Sequence, residues 1–289
     1  MEVRAKKALG QHFLTDQSIA QNIVGALQGS DILEVGPGMG VLTQYLLTQH
    51  CVNTSTPLHP QGRLRGVPLR LPESQCSDCD VHLKVVEIDK ESVAYLKKHY
   101  PSLGDGLIEG DFLKMDLSSV FPGPFSIIGN FPYNISSQIF FKIIDNRDLV
   151  PEVVCMIQKE VAQRIAEKPG TKTYGILSVF LQAWYDIDYL FTVGPGAFNP
   201  PPKVQSAVIR LTRNSRTSLG CDEKLFRTVV KTAFGQRRKT LRNSLKPVLQ
   251  QSMDQGLTTN KVFDLRPERL SVEDFINLTL LLQAGKSTI

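Results

Sequence analysis

The chain of 289 residues contains few cysteines, and it has no apolar run long enough to cross a membrane. Its five cysteines are odd in number and too few for a disulfide framework in a chain of this length. Cys155 lies within an apolar run, which is typical of a buried thiol in a reducing compartment. The first residues lack the apolar core of a secretory signal. These absences predict a soluble, cytoplasmic protein that has no membrane partner.

The composition is that of a globular protein. Hydrophobic residues make up 42% of the chain and charged residues 21%, which supports a large core and excludes a disordered or fibrous protein. The length allows two domains or one elaborated domain. With 33 basic and 28 acidic residues, the net charge is only +5, so the position of the basic surplus matters more than its size.

Short apolar runs alternate with helical patterns over the first two-thirds of the chain. The predicted strands are 31–35, 83–88, 106–109, 125–128, 153–157, 189–193 and 207–211. The predicted helices are 41–48, 92–99, 137–144, 159–166 and 175–186, with an earlier helix over 19–27 that Thr15 or Asp16 caps. This alternation predicts an α/β fold in which helices cover both faces of a mostly parallel sheet.

From about residue 212 onwards the pattern is helical only. Apolar residues recur at helical spacing, and Ser271 with Asp274 resembles a capping box that begins a last helix. We therefore predict a first domain over residues 1–214 and a small all-helical domain over residues 215–289.

Residues 50–82 do not fit the alternation. They contain four prolines and many polar residues, where a helix-to-strand connection normally takes about 2–6 residues. We predict a mobile insertion that loops off the first domain. Cys76 and Cys79, with Cys51 and His59, could suggest zinc, but a single Cys-x-x-Cys pair is weak evidence. We predict no metal.

A glycine-rich turn follows the first predicted strand. Gly36, Gly38 and Gly40 come after Glu34 and directly precede a helix. Glycines there let the backbone turn tightly and approach a nucleoside-like ligand, although an ordinary tight turn is the alternative. The spacing is not the Gly-x-Gly-x-x-Gly of dinucleotide sites, which argues against a nicotinamide cofactor.

Acidic residues follow the next two strands. Glu87 ends one strand, where a carboxylate can accept both hydroxyls of a ribose, and Asp89 lies already in the turn. Asp111 ends the following strand, where it could accept the amino group of an adenine or simply cap a turn. Together with the glycine turn, these positions favour a nucleoside ligand, and S-adenosylmethionine is the best candidate.

The tetrad Asn130-Phe131-Pro132-Tyr133 follows the strand at 125–128. An exocyclic adenine amine is a poor nucleophile because its lone pair is conjugated with the ring. The side-chain oxygen of Asn130 and a backbone carbonyl at or before Pro132 can accept its two hydrogens and direct the lone pair towards a methyl donor. Tyr133 can stack on a base taken out of its helix. An Asn-x-Pro turn with a buried tyrosine is the alternative.

The tetrad and five further motifs resemble the KsgA-type rRNA adenine dimethyltransferases. The other motifs are Gly10-Gln11-His12-Phe13-Leu14, Gln158-Lys159-Glu160-Val161, Tyr174-Gly175-x-Leu177-Ser178-Val179, Phe198-x-Pro200-Pro201-Pro202-Lys203-Val204-x-Ser206-Ala207-Val208 and Phe234-x-Gln236-Arg237-Arg238-Lys239-Thr240-Leu241-Arg242-Asn243-Ser244-Leu245. The similarity runs from about Lys7 to the C-terminus and excludes residues 50–82.

The resemblance implies a Rossmann-like methyltransferase domain followed by a small helical domain. The implied activity is transfer of two methyl groups from S-adenosylmethionine to N6 of each of two adjacent adenosines near the 3′ end of small-subunit (16S) rRNA. The implied partner is the immature small ribosomal subunit, and the enzyme is expected to be a monomer. The residues expected to bind the donor are His12, Leu14, Gly36, Gly38, Glu87, Asp111 and Asn130, and those expected at the acceptor are Asn130, Pro132 and Tyr133.

Two residues depart from the family pattern, and two other functions remain open. His12 stands where many members have Asn, and Phe131 where many have Leu. The erythromycin-resistance methylases perform the same chemistry on large-subunit rRNA, but the motif beginning at Phe234 favours the KsgA type. A noncatalytic assembly or transcription factor would tolerate loss of Asn130 or Glu87, and both are intact.

The basic surplus is concentrated in the helical region. Residues 227–246 contain seven basic side chains and no acidic one. Such a run is usually a solvated helix face, but its uniform sign favours a surface that contacts phosphates. The residues predicted to bind RNA are Arg237, Arg238, Lys239 and Arg242.

Overall fold

The computed structural model describes residues 3, 5–6, 9–48, 82–249 and 260–284. The predicted insertion at 50–82, with its cysteines, lies outside the described residues except for His82, which begins a strand. None of the described helices is long and apolar enough to span a membrane.

The described secondary structure follows the predicted alternation. The strands are β1 (Phe13–Leu14), β2 (Asp31–Val35), β3 (His82–Glu87), β4 (Leu107–Glu109), β5 (Ser126–Asn130), β6 (Glu152–Gln158), β7 (Tyr185–Val193), β8 (Phe198–Asn199) and β9 (Ser206–Arg213). The helices are α1 (Gln17–Gly25), α2 (Thr43–Thr48), α3 (Lys90–His99), α4 (Ser136–Asp145), α5 (Lys159–Ala166), α6 (Ile176–Gln182), α7 (Glu223–Gly235), α8 (Leu241–Ser244), α9 (Lys246–Leu249) and α10 (Val272–Ala284).

Seven of the described strands form one sheet in the order β4-β3-β2-β5-β6-β9-β7. The strands from β4 to β6 are parallel, and β9 pairs antiparallel with both β6 and β7. From β2 the chain moves to β3 on one side, and from β5 it moves to β6 on the other. The carboxyl ends of β2 and β5 therefore flank the switch point, where open α/β sheets bind ligands.

Helices cover both faces of the sheet, as predicted. Along β6, Val153, Cys155 and Ile157 pack in one hydrophobic cluster, whereas Val154 and Met156 pack in another. The first cluster includes buried residues of α4, α5, α6, α7 and α10, and the second includes those of α1. Because both faces are buried, β6 is an unbroken apolar run rather than an alternating one. The α/β class is confirmed.

The C-terminal helices pack on the same core as the sheet. Buried side chains of α7 and α10 belong to the cluster that contains Val153. At the edge of this contact, Arg147 pairs with Glu223 at 2.8 Å, and its guanidinium stacks 3.9 Å from the centre of the Trp184 ring. The division into domains at residues 214 and 215 stays a prediction.

Two helix starts agree with the sequence, and one helix end does not. Asp16 caps α1 by accepting hydrogen bonds from the amides of Ser18 and Ile19. Ser271 and Asp274 form the predicted reciprocal box. The helix predicted over 175–186 ends at Gln182 instead, because Tyr185 already pairs with Arg213 in the ladder between β7 and β9. Long-range pairing overrides the local helical pattern there.

Candidate active site

A cleft opens at the switch point of the sheet. Its walls come from the carboxyl ends of the parallel strands and from the segment that precedes α1. The lining residues are Leu9, Gly10, Gln11, His12, Phe13, Leu14, Glu34, Gly36, Pro37, Gly38, Met39, Val41, Leu42, Glu87, Asn130, Phe131, Pro132 and Tyr133. We call residues 9–15 the N-terminal strap because they cross this cleft.

The glycine turn after β2 needs glycine for two physical reasons. Gly38 and Gly40 have φ values of 58° and 78°, in the left-handed region that L side chains rarely adopt. A β-carbon at Gly38 would also lie 2.8 Å from the ring of Phe13, and one at Gly40 would lie 2.4 Å from the ring of Tyr100. The strap can therefore lie directly on the turn only because Gly38 has no side chain, and Gly40 leaves room for Tyr100 in the same way.

Glu87 lies at the end of β3 and faces the glycine turn. Its carboxylate is buried and accepts hydrogen bonds from the amides of Gly38 at 3.1 Å and of Ile88 and Asp89, both at 2.9 Å. Burial raises the pKa of Glu87, whereas these amide bonds oppose the increase. A carboxylate held in this way can accept the hydroxyls of a ribose that enters the cleft.

Glu34 is a second buried carboxyl in the cleft. It is 1% exposed and accepts a hydrogen bond of 2.6 Å from the hydroxyl of Thr43. Burial raises the pKa of Glu34 to about 8, and the nearby charge of Glu87 acts in the same direction. Glu34 is therefore mostly neutral at pH 7. In the sequence, only the position of Glu34 directly before the glycine turn indicates that it lies near the site.

Asp89 ties the chain before the strap to the start of α3. Its carboxylate accepts a hydrogen bond from the amide of Glu91 at 3.4 Å and pairs with Lys6. The side chain of Gln11 lies 3.5 Å away. Burial favours the neutral acid, but the hydrogen bonds from Lys6 and Gln11 outweigh burial and lower the pKa of Asp89. Asp89 thus anchors the N-terminal region rather than presenting a free acceptor.

The other end of the strap is fixed by β8 and the residues around it. Phe13 and Leu14 pair with this short strand, and both the amide and the hydroxyl of Thr15 donate to the carbonyl of Ala197. Nδ1 of His12 lies 2.9 Å from the carbonyl oxygen of Pro200. Because a carbonyl only accepts, Nδ1 carries the hydrogen and fixes the imidazole tautomer when the ring is neutral.

Asn130, the last residue of β5, is oriented by the strap. Its Nδ2 donates to the backbone carbonyl of His12 at 2.9 Å, which leaves Oδ1 as an acceptor for a ligand. Phe131 turns into the core, and its amide donates to the carbonyl of Met156. The side chains of Pro132 and Tyr133 line the cleft. This arrangement presents an oriented amide oxygen beside an aromatic ring.

The structure brings most of the predicted site residues together. Those that line the one cleft are His12, Leu14, Gly36, Gly38, Glu87, Asn130, Pro132 and Tyr133. Asp111 does not line it, and its carboxylate accepts a hydrogen bond of 2.9 Å from the amide of Leu113 and caps the turn after β4. The roles of all these residues in binding and catalysis stay predictions.

The four basic residues predicted to bind RNA also lie outside the cleft. Arg237 donates to the carbonyl of Thr171 at 3.2 Å, and Arg242 pairs with Asp264 at 2.6 Å. Arg238 and Lys239, in the turn between α7 and α8, are exposed. Among the described residues, no group of three or more His, Cys, Asp or Glu side chains could hold a metal ion.

A scan against protein families gives one match that covers most of the chain. The model described as ribosomal RNA adenine dimethylase matches residues 2–56 and 77–284, so its gap falls inside the predicted insertion. Among curated proteins, the chain is 56% identical to ribosomal RNA small subunit methyltransferase A of Bacteroides thetaiotaomicron, over 99% of this chain and 97% of that protein. It is 54% identical to the protein of the same name from Porphyromonas gingivalis, over 98% and 99% of the two chains.

Solved structures show the same fold. A dimethyladenosine transferase from Plasmodium falciparum matches with a TM-score of 0.70 and 25% identity, over 95% of this chain and 98% of that one. The 23S rRNA methyltransferase ErmE matches with a TM-score of 0.57 and 21% identity, over 92% and 99% of the two chains. The second likeness shows the fold alone.

Proposed function

The chain belongs to the ribosomal RNA adenine dimethylase family, and from this we propose that it dimethylates small-subunit rRNA. It transfers methyl groups from S-adenosylmethionine to N6 of two adjacent adenosines near the 3′ end of that rRNA and gives N6,N6-dimethyladenosine at both. The observation that carries this proposal is the orientation of Asn130, which lines the cleft with Tyr133 and whose Oδ1 has no hydrogen-bond partner among the described residues.

The polar end of the cleft fits a nucleoside donor. Glu87 presents a buried carboxylate for the ribose hydroxyls, and the turn at Gly36, where nothing lies within 4 Å of a β-carbon position, leaves room for a ligand to approach the backbone. His12 and Leu14 cover the donor from the strap, and Asp111, whose Oδ1 caps the turn after β4, accepts the adenine amine with Oδ2. S-adenosylmethionine, when bound, supplies an electrophilic methyl group on a cationic sulfur.

Asn130 activates the acceptor amine by position rather than by taking a proton beforehand. Its Oδ1 accepts one hydrogen of the adenine N6 amine, and a backbone carbonyl of the tetrad accepts the other. The carbonyl of Pro132 already accepts a hydrogen bond from the amide of Ile135, so we assign this second role to the carbonyl of Phe131. The two acceptors make N6 more tetrahedral and direct its lone pair towards the methyl group.

Tyr133 receives the target base. An adenine within a paired or stacked rRNA segment cannot reach the cleft, so it must leave its stack, which costs a few kcal/mol. The ring of Tyr133 offers a face on which the base can stack, with a gain of roughly 1–3 kcal/mol per base. Stacking therefore offsets much of the cost of extrusion.

The helical region holds the rRNA backbone. Arg238 and Lys239 are exposed in the turn after α7, and the hydrogen bond from Arg237 to Thr171 fixes this turn against the first domain. We assign phosphate contacts to these residues and to Arg242 within the domain of residues 215–289. The protein acts as a monomer on the immature small subunit, and thus in the cytoplasm.

Primer extension on purified small subunits that lack the modification tests the function directly. Subunits are incubated with the protein and S-adenosylmethionine, and reverse transcriptase is expected to stop at two adjacent adenosines near the 3′ end, because dimethylated adenines cannot pair. Large subunits treated in parallel should give no new stop. New stops only on the large subunit would support the alternative substrate, and donor binding without any stop would support a noncatalytic factor.

A further inference from the structure

The hydroxyl of Tyr133 is bound to a residue that no step above uses. It lies 2.5 Å from Oγ of Ser206, and either hydroxyl can donate in this pair. Tyr133 lines the cleft, whereas Ser206 does not line it and is fully buried. The two residues are 73 positions apart in the sequence, so only the fold brings them together.

Ser206 is a rigid anchor because of its place in the sheet. It is the first residue of β9, and it pairs with Gln158 of β6 on one side and with Val193 of β7 on the other. Its backbone therefore cannot move without disturbing two neighbouring strands. Tyr133, in contrast, belongs to the turn between β5 and α4 and is only partly buried.

The same stretch of chain also fixes the ring that lies next to Tyr133. The imidazole of His12 lies 5.6 Å from the tyrosine ring with an angle of 30° between the two planes. Its Nδ1 is bound to the carbonyl of Pro200, six residues before Ser206. The segment 200–206 thus holds both rings at the acceptor end of the cleft.

We propose that Ser206 is a positioning residue for the target adenine and acts by fixing the stacking face of Tyr133 before the rRNA arrives. The inference rests on the proposed function, because it gives Tyr133 the target base as its ligand. A tyrosine without this anchor must lose side-chain freedom when the base docks. Once the subunit is bound through its backbone, ordering this side chain makes docking of the base into the cleft less favourable by about 2- to 12-fold, which lowers the methylation rate and not the affinity for the subunit.

Two variants remove the anchor from opposite ends. Tyr133→Phe removes one hydroxyl without touching the sheet, and Ser206→Ala removes the other. Each should lower the single-turnover methylation rate at saturating subunits by about 2- to 12-fold, while donor affinity and the KM for subunits stay unchanged. The double variant should be no slower than either single variant, because both remove the same interaction.

The rescue and control variants separate positioning from a general loss of stability. Ser206→Thr keeps a hydroxyl on β9 and should recover most of the rate. Tyr189→Phe and Thr192→Val break a similar hydroxyl pair of 2.7 Å on β7, outside the cleft, and should leave the rate at the wild-type value.

The outcomes for the inference and for the proposed function are distinct. Wild-type methylation of small subunits in the same assay tests the function without any variant. Wild-type rates for both Tyr133→Phe and Ser206→Ala would overturn the positioning role and leave the function intact. The positioning role would also be overturned if the rate loss of the double variant equalled the product of the two single losses. A loss of donor affinity in Ser206→Ala would overturn it as well.

Discussion

Replacing Asn130 by alanine should nearly abolish methyl transfer while leaving the donor bound. The side chain makes two interactions: Nδ2 donates to the His12 carbonyl at 2.9 Å, and Oδ1 accepts from the target amine in the proposed mechanism. Loss of the second interaction removes a preorganised acceptor that matters most in the transition state. Mutations of that kind cost roughly 10²–10³ in rate, or about 2.7–4 kcal/mol.

The hydrogen bond from Nδ2 of Asn130 to the His12 carbonyl determines how much donor affinity is lost. Without Nδ2, the strap loses one hydrogen bond, worth about 0.5–1.5 kcal/mol. The strap keeps its pairing with β8, the bonds from Thr15 to Ala197 and the contact of His12 with Pro200. Donor affinity should therefore fall by no more than about 10-fold. Asn130→Asp should weaken the donor further, because an ionised carboxylate would face the His12 carbonyl.

Single-turnover methylation of unmodified small subunits checks the predicted loss of rate, and calorimetric donor binding checks the predicted loss of donor affinity. Asn277→Ala, which removes an exposed amide on α10, is the control and should match wild type in both assays. Full activity of Asn130→Ala would refute the acceptor mechanism. A rate loss that merely follows the loss of donor affinity would mean that Asn130 serves the strap and not the amine.

Three further perturbations should give defined results. Changing Arg238 and Lys239 together to alanine should weaken rRNA binding. The slope of the logarithm of the binding constant against the logarithm of the salt concentration should become shallower by about one unit for each phosphate that the protein no longer binds. An unchanged slope would place the RNA surface elsewhere. Because the pKa of Glu34 is about 8 in the folded chain against 4.5 ordinarily, its protonation stabilises the protein at low pH, and this stability is lost as pH rises through 8. Glu34→Gln should remove about 3 kcal/mol of the decline in unfolding free energy between pH 5 and 8, as measured with urea. Replacing residues 50–81 by a short Gly/Ser turn should leave calorimetric donor binding nearly intact, since loop length costs little, and loss of binding would make this segment part of the site.

The local patterns predicted the frame of the site but not the contacts that orient it. The glycine turn, the acid after β3 and the tetrad after β5 each carry a signal within a few residues, and the parallel sheet places them at one edge. The bond from Asn130 to His12 and the bond from Tyr133 to Ser206 span 118 and 73 residues, so no local pattern encodes them. The predicted end of the helix over 175–186 is wrong for the same reason, because the pairing of Tyr185 with Arg213 is also a long-range contact.

Asp111 shows a different limit of sequence reasoning. Its position after β4 was compatible with a ligand contact and with a turn cap, and the structure shows the cap at Leu113. Spacing alone cannot choose between these roles, because an acidic residue directly after a strand is compatible with both.

The pairing of β1 with β8 also sets an order for the assembly of the site during synthesis. The strap leaves the ribosome before its partner at Phe198 and Asn199, which emerges about 185 residues later. A nascent chain that ends before β8 can already form the glycine turn and place Glu87, yet its strap has no strand to pair with. Because contacts of such long sequence separation form late, the donor cleft closes only after most of the sheet has been made.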